Sequence, residues 1–204
     1  MTPQPDLVLA SASPRRSAIL SGLGLRFSIL PAELDESVRS SEAPRRYVER
    51  VAAAKAGAIA AARPAAVVLG ADTAVTLDER ILGKPADAAE AERMLRMLSG
   101  RTHRVYSAVA VHCGGAKRLR TVASEVRFRR LGHAEIRRYI ASGEPMDKAG
   151  AYAVQGLGGI FVEHLAGSYS AVVGLPVAES VALLRQCGID PLVGFAGGGA
   201  SLAP

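Results

Sequence analysis

The apolar positions of this chain follow two spacings, one typical of buried strands and the other of helices. Residues 7–10 and 66–69 are continuous apolar runs, as expected of strands buried on both faces. From Pro44 to about residue 63, apolar side chains recur at helical spacing, and Asp87 is a suitable N-cap for a helix over 88–98. The pattern therefore predicts strands that alternate with helices.

Two segments of alternating polarity, 102–113 and 118–128, can pair as a hairpin through the turn at Gly114 and Gly115. The other predicted elements are helices over 14–24, 134–142 and after Pro176, and strands at 27–30, 75–77 and 160–162. No internal repeat and no long linker divides the chain. We therefore expect a single α/β domain over residues 1–193, with a mixed sheet flanked by helices, and a flexible Gly/Ala-rich tail at 194–204.

The charge balance favours a small anionic ligand. The 204 residues carry a formal net charge of +6, from 25 Lys and Arg against 19 Asp and Glu. These basic residues are scattered and rarely alternate with aromatic ones, so no stable complex with nucleic acid is expected. The two cysteines lack metal-ligand spacing, the N-terminus lacks a basic leader, and no stretch is long enough to cross a bilayer. We expect a reduced, cytoplasmic protein without a membrane partner.

The segment after the first apolar run, residues 11–16 (Ser-Ala-Ser-Pro-Arg-Arg), is a candidate anion site. Pro14 suits the first position of a helix, where its missing N–H is of no consequence. The hydroxyls of Ser11 and Ser13, the free N–H groups of the helix N-terminus and the guanidinium groups of Arg15 and Arg16 can then converge on one phosphate. An ordinary capped helix with surface arginines fits the same residues.

Asp72 and two lysines are further candidates. Asp72 is expected just past the end of the buried strand 66–69, where open α/β sheets place ligands. Its carboxylate could hold a divalent cation or accept a proton from water, or it could cap a turn. Lys84 lies in a Gly-Lys-Pro turn, and Lys55 lies among alanines that would let a ligand approach, although both could simply be solvated.

A glycine-rich segment with one amide side chain follows at 144–159. Gln155 lies just before Gly156 in this segment, and its amide offers both a donor and an acceptor, which suits the edge of a nucleobase. A mobile loop without a ligand is the alternative. A Walker loop and a Gly-x-Ser-x-Gly elbow are both absent from the sequence.

Together these segments resemble the Maf family of nucleoside triphosphate pyrophosphatases, over residues 7 to about 187. One matching block would be a weak signal, but six occur here in the family's order. They are 11–16, Gly-Ala-Asp-Thr at 70–73, Gly-Lys-Pro at 83–85, 99–103, 144–156 and 167–176.

The resemblance implies hydrolysis of a nucleoside triphosphate between the α- and β-phosphates, which gives the monophosphate and pyrophosphate. It also implies a divalent metal cation (Mg²⁺ or Mn²⁺), an elongated α/β fold shared with inosine-triphosphate pyrophosphatases, and commonly a homodimer. The family's catalytic acid matches Asp72, and its glutamate and two lysines match Glu36, Lys55 and Lys84.

Three positions resemble the family's subgroup that acts on dTTP and UTP: Arg15, Thr73 and Gln155. The sister subgroup, which acts on 7-methyl-GTP, tends to have tryptophan, glutamine and glutamate there. One departure is Ala171, where many members have asparagine, and this weakens any role for a side chain at that position.

These residues suggest a mechanism based on positioning and charge neutralisation. The groups expected to hold the phosphates are Ser13, Arg15, Arg16, Lys55 and Lys84. Glu36 and Asp72 are expected to hold the metal, and Asp72 to accept the proton of the attacking water. A nearby cation is expected to lower the pKa of Asp72. Thr73 and Gln155 are expected to contact the base.

Two other functions remain open from the sequence. One is a pyrophosphatase for 7-methyl-GTP or other modified nucleotides. The other is a regulatory protein that acts in cell division or on DNA, which the resemblance implies through the family's link to septum inhibition. The positive charge allows this function, and the scattered arginines support it poorly.

Overall fold

The computed structural model describes residues 5–193, so the predicted tail at 194–204 and the first four residues of the predicted domain lie outside it. The strands are β1 (Leu7–Leu9), β2 (Ser28–Ile29), β3 (Val67–Leu77), β4 (Arg80–Leu82), β5 (Thr102–Cys113), β6 (Ala116–Phe128) and β7 (Val162–Ala166). The α-helices are α1 (Pro14–Gly22), α2 (Pro44–Ala62), α3 (Ala88–Leu98), α4 (His133–Ala141), α5 (Tyr169–Val173) and α6 (Val177–Arg185). Three short 3-10 helices lie at Glu144–Asp147, Ala149–Ala151 and Leu157–Phe161.

The described strands form one mixed sheet of seven, in the order β2-β1-β3-β5-β6-β7, with β4 paired to β3. Strand β1 runs parallel to β2 and β3, and all the other pairs are antiparallel. The prediction of a single α/β unit with a mixed sheet flanked by helices is therefore confirmed. None of the described helices is long and apolar enough to cross a membrane.

Local signals account for several element boundaries. The Ser13 hydroxyl accepts from the N–H of Arg16 at the start of α1, and Oδ1 of Asp87 accepts from the N–H of Glu90 at the start of α3. Gly114 and Gly115 both have positive φ angles, 55° and 80°, as a two-residue hairpin turn requires between β5 and β6.

The two faces of the sheet are covered differently. Helix α2 packs on one face, where Val48 and Ala52 meet Val68. On the other face, Ala71 of β3 packs in a cluster with residues of α1 and α6, while Val75 packs in a cluster with residues of α3 and α4. Side chains alternate along a strand, so Thr73 lies on this second face, at the boundary between its two clusters.

Strand β3 is continuous for 11 residues, which overturns the expected position of Asp72 just past a strand end. Asp72 lies in the middle of β3 and pairs in register with Ala108 of β5. On its other side, β3 pairs with β1 only over 67–69 and with β4 only over 75–77. Residues 70–74 therefore have no strand partner on that side within the described chain, and this interruption is where the site lies.

Candidate active site

A cleft lies beside the unpartnered stretch of β3 and encloses a cavity of about 740 Å³. Every site residue predicted from the sequence lines it: Ser13, Arg15, Arg16, Glu36, Lys55, Asp72, Thr73, Lys84 and Gln155. Residues far apart in the chain thus meet at one cavity. Both faces of β3 contribute, since Asp72 and Thr73 are consecutive residues whose side chains point to opposite sides of the sheet.

The anion segment forms one wall of the cleft. The guanidinium of Arg16 is buried and held by two hydrogen bonds, from Nε to the carbonyl of Gly174 (2.9 Å) and from Nη1 to the hydroxyl of Ser11 (3.0 Å). Burial lowers the pKa of Arg16, and the nearby Asp72 carboxylate acts in the opposite direction. Arg16 therefore braces α1 against the loop after α5, and its remaining N–H groups are those available to an anion.

The central contact joins three side chains from three segments. The ammonium of Lys55, in α2, lies 2.7 Å from Oε2 of Glu36 and 3.0 Å from Oδ1 of Asp72. The Lys55 and Asp72 side chains are only 8 % and 7 % exposed, whereas that of Glu36 is 45 % exposed. Lys55 thus holds both predicted metal-binding carboxylates in one place.

The pKa of Asp72 is raised, because burial penalises its charged form more than Lys55 and Arg16 favour it. The nearby cations Lys55 and Arg16 do act to lower this pKa, as expected, but burial outweighs them. The raised pKa makes the carboxylate a stronger base. Its Oδ2 is buried and has no hydrogen-bond partner among the described residues, so this oxygen is the one left for a ligand.

Gly70 explains how Lys55 can reach β3. A Cβ at Gly70 would lie 2.5 Å from the carbonyl oxygen of Ala52 and 2.6 Å from the backbone nitrogen of Ala56, both in α2. Only glycine therefore allows α2 to approach the strand this closely. Lys55 lies one residue before Ala56, and the close approach places its ammonium against Asp72.

The carboxylates fit a magnesium or manganese ion that is bound mainly by water and phosphate oxygens. Mg²⁺ takes oxygen ligands and is often held by only one or two protein carboxylates beside substrate phosphates. Oδ2 of Asp72 is a buried acceptor that has no donor among the described residues. The Glu36 carboxylate accepts from the ammonium of Lys55, which also donates to Asp72. No group of three or more acidic, His or Cys residues suited to a metal occurs in residues 5–193.

The loop next to Gln155, one of the predicted base-reading residues, is held by hydrogen bonds that the sequence did not reveal. The Glu144 carboxylate accepts from the hydroxyl of Tyr139 (2.8 Å) and from the N–H groups of Leu157 and Gly158 (both 2.9 Å). These three hydrogen bonds lower the pKa of Glu144, although burial, the largest single influence, opposes them. Glu144 therefore fixes the loop that follows Gln155, whose own side chain is exposed to the cleft.

The mouth of the cleft is lined by charged groups. Nη1 of Arg15 lies 3.5 Å from Oδ2 of Asp147, and Asp147 also pairs with Lys148. Lys84 is exposed, and the carbonyl of the preceding Gly83 accepts from the N–H of Gly150 (3.0 Å). These contacts join the Gly-Lys-Pro turn and α1 to the 3-10 segment on the opposite wall.

Several lining residues were not singled out from the sequence: Tyr47, Asp147, Lys148 and the carbonyl group of Gly174. In the sequence, Tyr47 is one of the positions at helical spacing after Pro44, which predicts packing and not a role in a site. A backbone carbonyl group cannot be recognised from a sequence. Segment 144–159 is rich in charged residues and glycine, but this composition does not reveal which carboxylate holds the loop in place. Ala171 is fully buried, and its carbonyl oxygen accepts from the hydroxyl of Ser107.

The architecture is that of a known α/β class. A Ham1 protein of Staphylococcus aureus has the same fold, with a TM-score of 0.52 at 13% identity over 89% of this chain and 98% of that chain. A HAM1 protein from Coxiella burnetii gives a TM-score of 0.50 at 15% identity, over 89% of this chain and 99% of that one. At such identities the likeness concerns the fold alone.

The sequence comparisons identify the family. The family model for Maf-like proteins matches residues 6–187, and the chain belongs to this family. A protein of Hahella chejuensis named dTTP/UTP pyrophosphatase is 54% identical over 186 residues, covering 90% of this chain and 92% of that protein. One of Anaeromyxobacter dehalogenans with the same name is 55% identical over 188 residues, covering 90% and 95%. The resemblance drawn from the six sequence blocks is confirmed.

Proposed function

We propose that this protein hydrolyses nucleoside triphosphates, chiefly dTTP and UTP, to the monophosphate and pyrophosphate. The observation that carries the proposal is the buried Lys55 ammonium between Glu36 and Asp72, in a cleft that α1 supplies with cations. Relatives about half identical over 90% of the chain are named dTTP/UTP pyrophosphatases, which supports the same substrates here.

The triphosphate binds along the cationic wall of the cleft. Ser13 and the N-terminus of α1 donate hydrogen bonds to phosphate oxygens, and Arg15 and Arg16 add positive charge. Lys84 reaches the phosphates from the opposite wall. Because Lys55 is already paired with two carboxylates, it acts through the charge balance of the site and by orienting those carboxylates.

Glu36 and Asp72 would hold a divalent cation, Mg²⁺ or Mn²⁺. When bound, such an ion polarises phosphoryl oxygens and makes a bound water more acidic. The side chain of Glu36 is exposed and can adjust its position to the bound ion, whereas the buried side chain of Asp72 is held in place by Lys55.

Asp72 accepts the proton of the attacking water. Lys55 occupies Oδ1, so the second oxygen, Oδ2, faces the reaction. The water oxygen bonds to phosphorus, the bond to the bridging α–β oxygen breaks, and pyrophosphate leaves. General-base catalysis of this kind contributes about 10²–10⁴-fold to the rate.

The base is read by Thr73 and Gln155. Thr73 lies between the two apolar clusters on the second face of the sheet, and Gln155 lies on the loop that Glu144 fixes. Both offer hydrogen bonds to uracil or thymine. Family membership also supports a homodimeric, cytoplasmic protein, and light scattering on the purified protein tests the dimer.

The test is pyrophosphate release from dTTP, UTP, CTP, ATP, GTP and 7-methyl-GTP with Mg²⁺ or Mn²⁺. We expect release mainly from dTTP and UTP, its loss in Asp72→Asn with retained folding, and reduced pyrimidine turnover in Gln155→Glu. Preference for 7-methyl-GTP would keep the reaction and overturn the base assignment. No release from any nucleotide, together with salt-dependent DNA binding, would favour the regulatory alternative.

A further inference from the structure

A chain of three oxygen atoms fixes the direction of the hydrogen bonds around Thr73. The hydroxyl of Ser107, which pairs with Thr73 across β3 and β5, lies 2.6 Å from the carbonyl oxygen of Ala171. Two oxygens that close require a proton between them, and only the hydroxyl can supply it. Ser107 therefore donates its single proton to Ala171.

Thr73 must then donate its own proton within the protein. Its Oγ1 lies 3.0 Å from Oγ of Ser107 and 3.4 Å from the carbonyl oxygen of Gly174. Ser107 has no proton left to give and a carbonyl has none, so both neighbours can only accept from Thr73. Whichever of the two it chooses, the Thr73 hydroxyl presents lone pairs alone to the cleft.

We infer that Ser107 is a positioning residue for base selection: it holds Thr73 as a hydrogen-bond acceptor, so the site takes a base with a ring N–H and rejects one with a bare ring nitrogen. The inference rests on the proposed function, since it assumes that Thr73 faces the base. Neutral uracil and thymine carry a hydrogen at N3, whereas N3 of cytosine is an acceptor. Cytosine would place its N3 against the Thr73 hydroxyl oxygen, and since both atoms are acceptors, neither would gain a hydrogen bond.

The role belongs to Ser107 because its hydroxyl is the nearer acceptor for Thr73 (3.0 Å), whereas the carbonyl of Gly174 lies at 3.4 Å and already accepts from Nε of Arg16 (2.9 Å). Ser107 is fully buried and does not itself line the cleft, whereas Thr73, whose hydroxyl lies 3.0 Å from that of Ser107, does. Without the Ser107 hydroxyl, Thr73 could turn its proton toward the ligand and accept either kind of base. The position of Thr73 on the strand would stay the same.

The experiment measures kcat/KM for UTP and for CTP, together with the affinities for UMP and CMP, in Ser107→Ala and in a matched control. The control is Ser124→Ala on the neighbouring strand β6. Ser124 is as buried as Ser107 and its hydroxyl also bonds to backbone, donating to the carbonyl of Ser168 (3.3 Å) and accepting from its N–H (3.0 Å). Each ratio is taken within one preparation, so the amount of folded protein cancels.

We expect the preference for uracil over cytosine to fall about tenfold or more in Ser107→Ala and to stay unchanged in Ser124→Ala. Thr73→Ser, which keeps the hydroxyl, should retain the preference, and Thr73→Val should lose it. An unchanged preference in Ser107→Ala, or none in the wild-type protein, would overturn the inference. Preferential binding of UMP over CMP that depends on Ser107, without pyrophosphate release, would overturn the proposed function and support the role of Ser107.

Discussion

The ammonium nitrogen of Lys55 lies 3.0 Å from Oδ1 of Asp72, although one residue belongs to helix α2 and the other to strand β3. Both side chains are more than nine-tenths buried. Because both groups are shielded from water, each charge depends on the other for its stabilisation. The pair therefore contributes to the stability of the fold as well as to the proposed chemistry. The predictions below separate these two contributions.

Lys55 and Lys84 should respond differently to replacement by methionine. Lys55→Met leaves the Asp72 carboxylate buried without its partner, and we expect it to lower the free energy of unfolding by about 3–5 kcal/mol. Lys84 is exposed, so Lys84→Met should change stability by no more than about 0.5 kcal/mol. If Lys84 holds a phosphate, the Lys84→Met variant should still lose about 2–4 kcal/mol of transition-state stabilisation.

Urea unfolding and pyrophosphate release on the same two variants provide the test. A kinetically silent Lys84→Met would remove Lys84 from the proposed site. Equal stability losses in the two variants would contradict the assignment of Lys55 to a buried pair.

Gly70→Ala should destabilise the protein and disturb the site together. The new methyl group would meet the α2 backbone at 2.5–2.6 Å, and backbone cannot yield as a side chain can. We expect a loss of at least about 2 kcal/mol in the free energy of unfolding, and a raised KM because Lys55 is displaced. The measurement combines thermal unfolding with steady-state kinetics.

Gly57→Ala is the matched control for Gly70→Ala, because Gly57 lies within α2 itself. Its added Cβ would make an ordinary contact of 3.5 Å with Cε1 of His112. Alanine favours a helix over glycine, so stability should rise by up to about 1 kcal/mol with kinetics unchanged. Stabilisation of both variants would show that the approach of α2 to β3 is not limiting.

Glu144→Ala should weaken base recognition more than it slows turnover. It removes the acceptor of three hydrogen bonds and leaves the N–H groups of Leu157 and Gly158 unpaired, at roughly 1–3 kcal/mol. We expect KM for UTP to rise about tenfold while kcat changes less. Glu163→Ala, which removes an exposed partner of Arg127, should leave both unchanged. A fall in kcat alone would place Glu144 nearer the chemistry than the structure does.

His103 should make the protein less stable as the pH falls from about 6.5 toward 4. Burial lowers the pKa of His103 to about 4, from 6.5 for a free side chain, and its Nε2 lies 2.8 Å from the Tyr152 hydroxyl. Between these values the unfolded chain binds a proton that the folded protein excludes, so stability rises with pH and is lost on acidification. The full difference is about 3 kcal/mol.

The measurement is the urea midpoint at several pH values from 7.5 to 4.5, for the wild-type protein and His103→Gln. The variant should lose less stability across this range. His164→Gln, on the exposed strand β7, serves as the control and should follow the wild-type protein. Parallel curves for the wild-type protein and His103→Gln would contradict the assignment.

Elements with local signals were predictable from the sequence. Pro44 and Asp87 mark the starts of α2 and α3, and Gly114-Gly115 marks the hairpin turn, because caps and positive φ angles depend on neighbouring residues alone. The end of the strand at Gly70 was predicted wrongly for the opposite reason. A glycine after an apolar run is typical of a strand end, but here Gly70 allows a close contact with α2, and a contact between distant segments cannot be predicted from a local pattern.

The strand predicted at 160–162 was displaced for a similar reason. Residues Leu157–Phe161 form a 3-10 helix because Phe161 turns inward against Tyr139 and Phe128, and β7 begins only at Val162. The short helix α5 was not predicted, although Ser168 caps it. The nine predicted site residues do line one cavity, but their order along the chain could not reveal that Ser107 contacts Thr73 or that Glu144 holds the loop next to Gln155.

The interruption in β3 also bears on how the molecule resists aggregation. An unpaired strand edge ordinarily invites another chain to add a strand. Here that edge covers only residues 70–74 and lies inside the sheet, between β1 and β4, so an incoming strand would be blocked at both ends. At the outer rims of the described sheet, β2 has two residues and β7 carries Glu163 and His164. The backbone that a small ligand can reach is thus kept from other polypeptides.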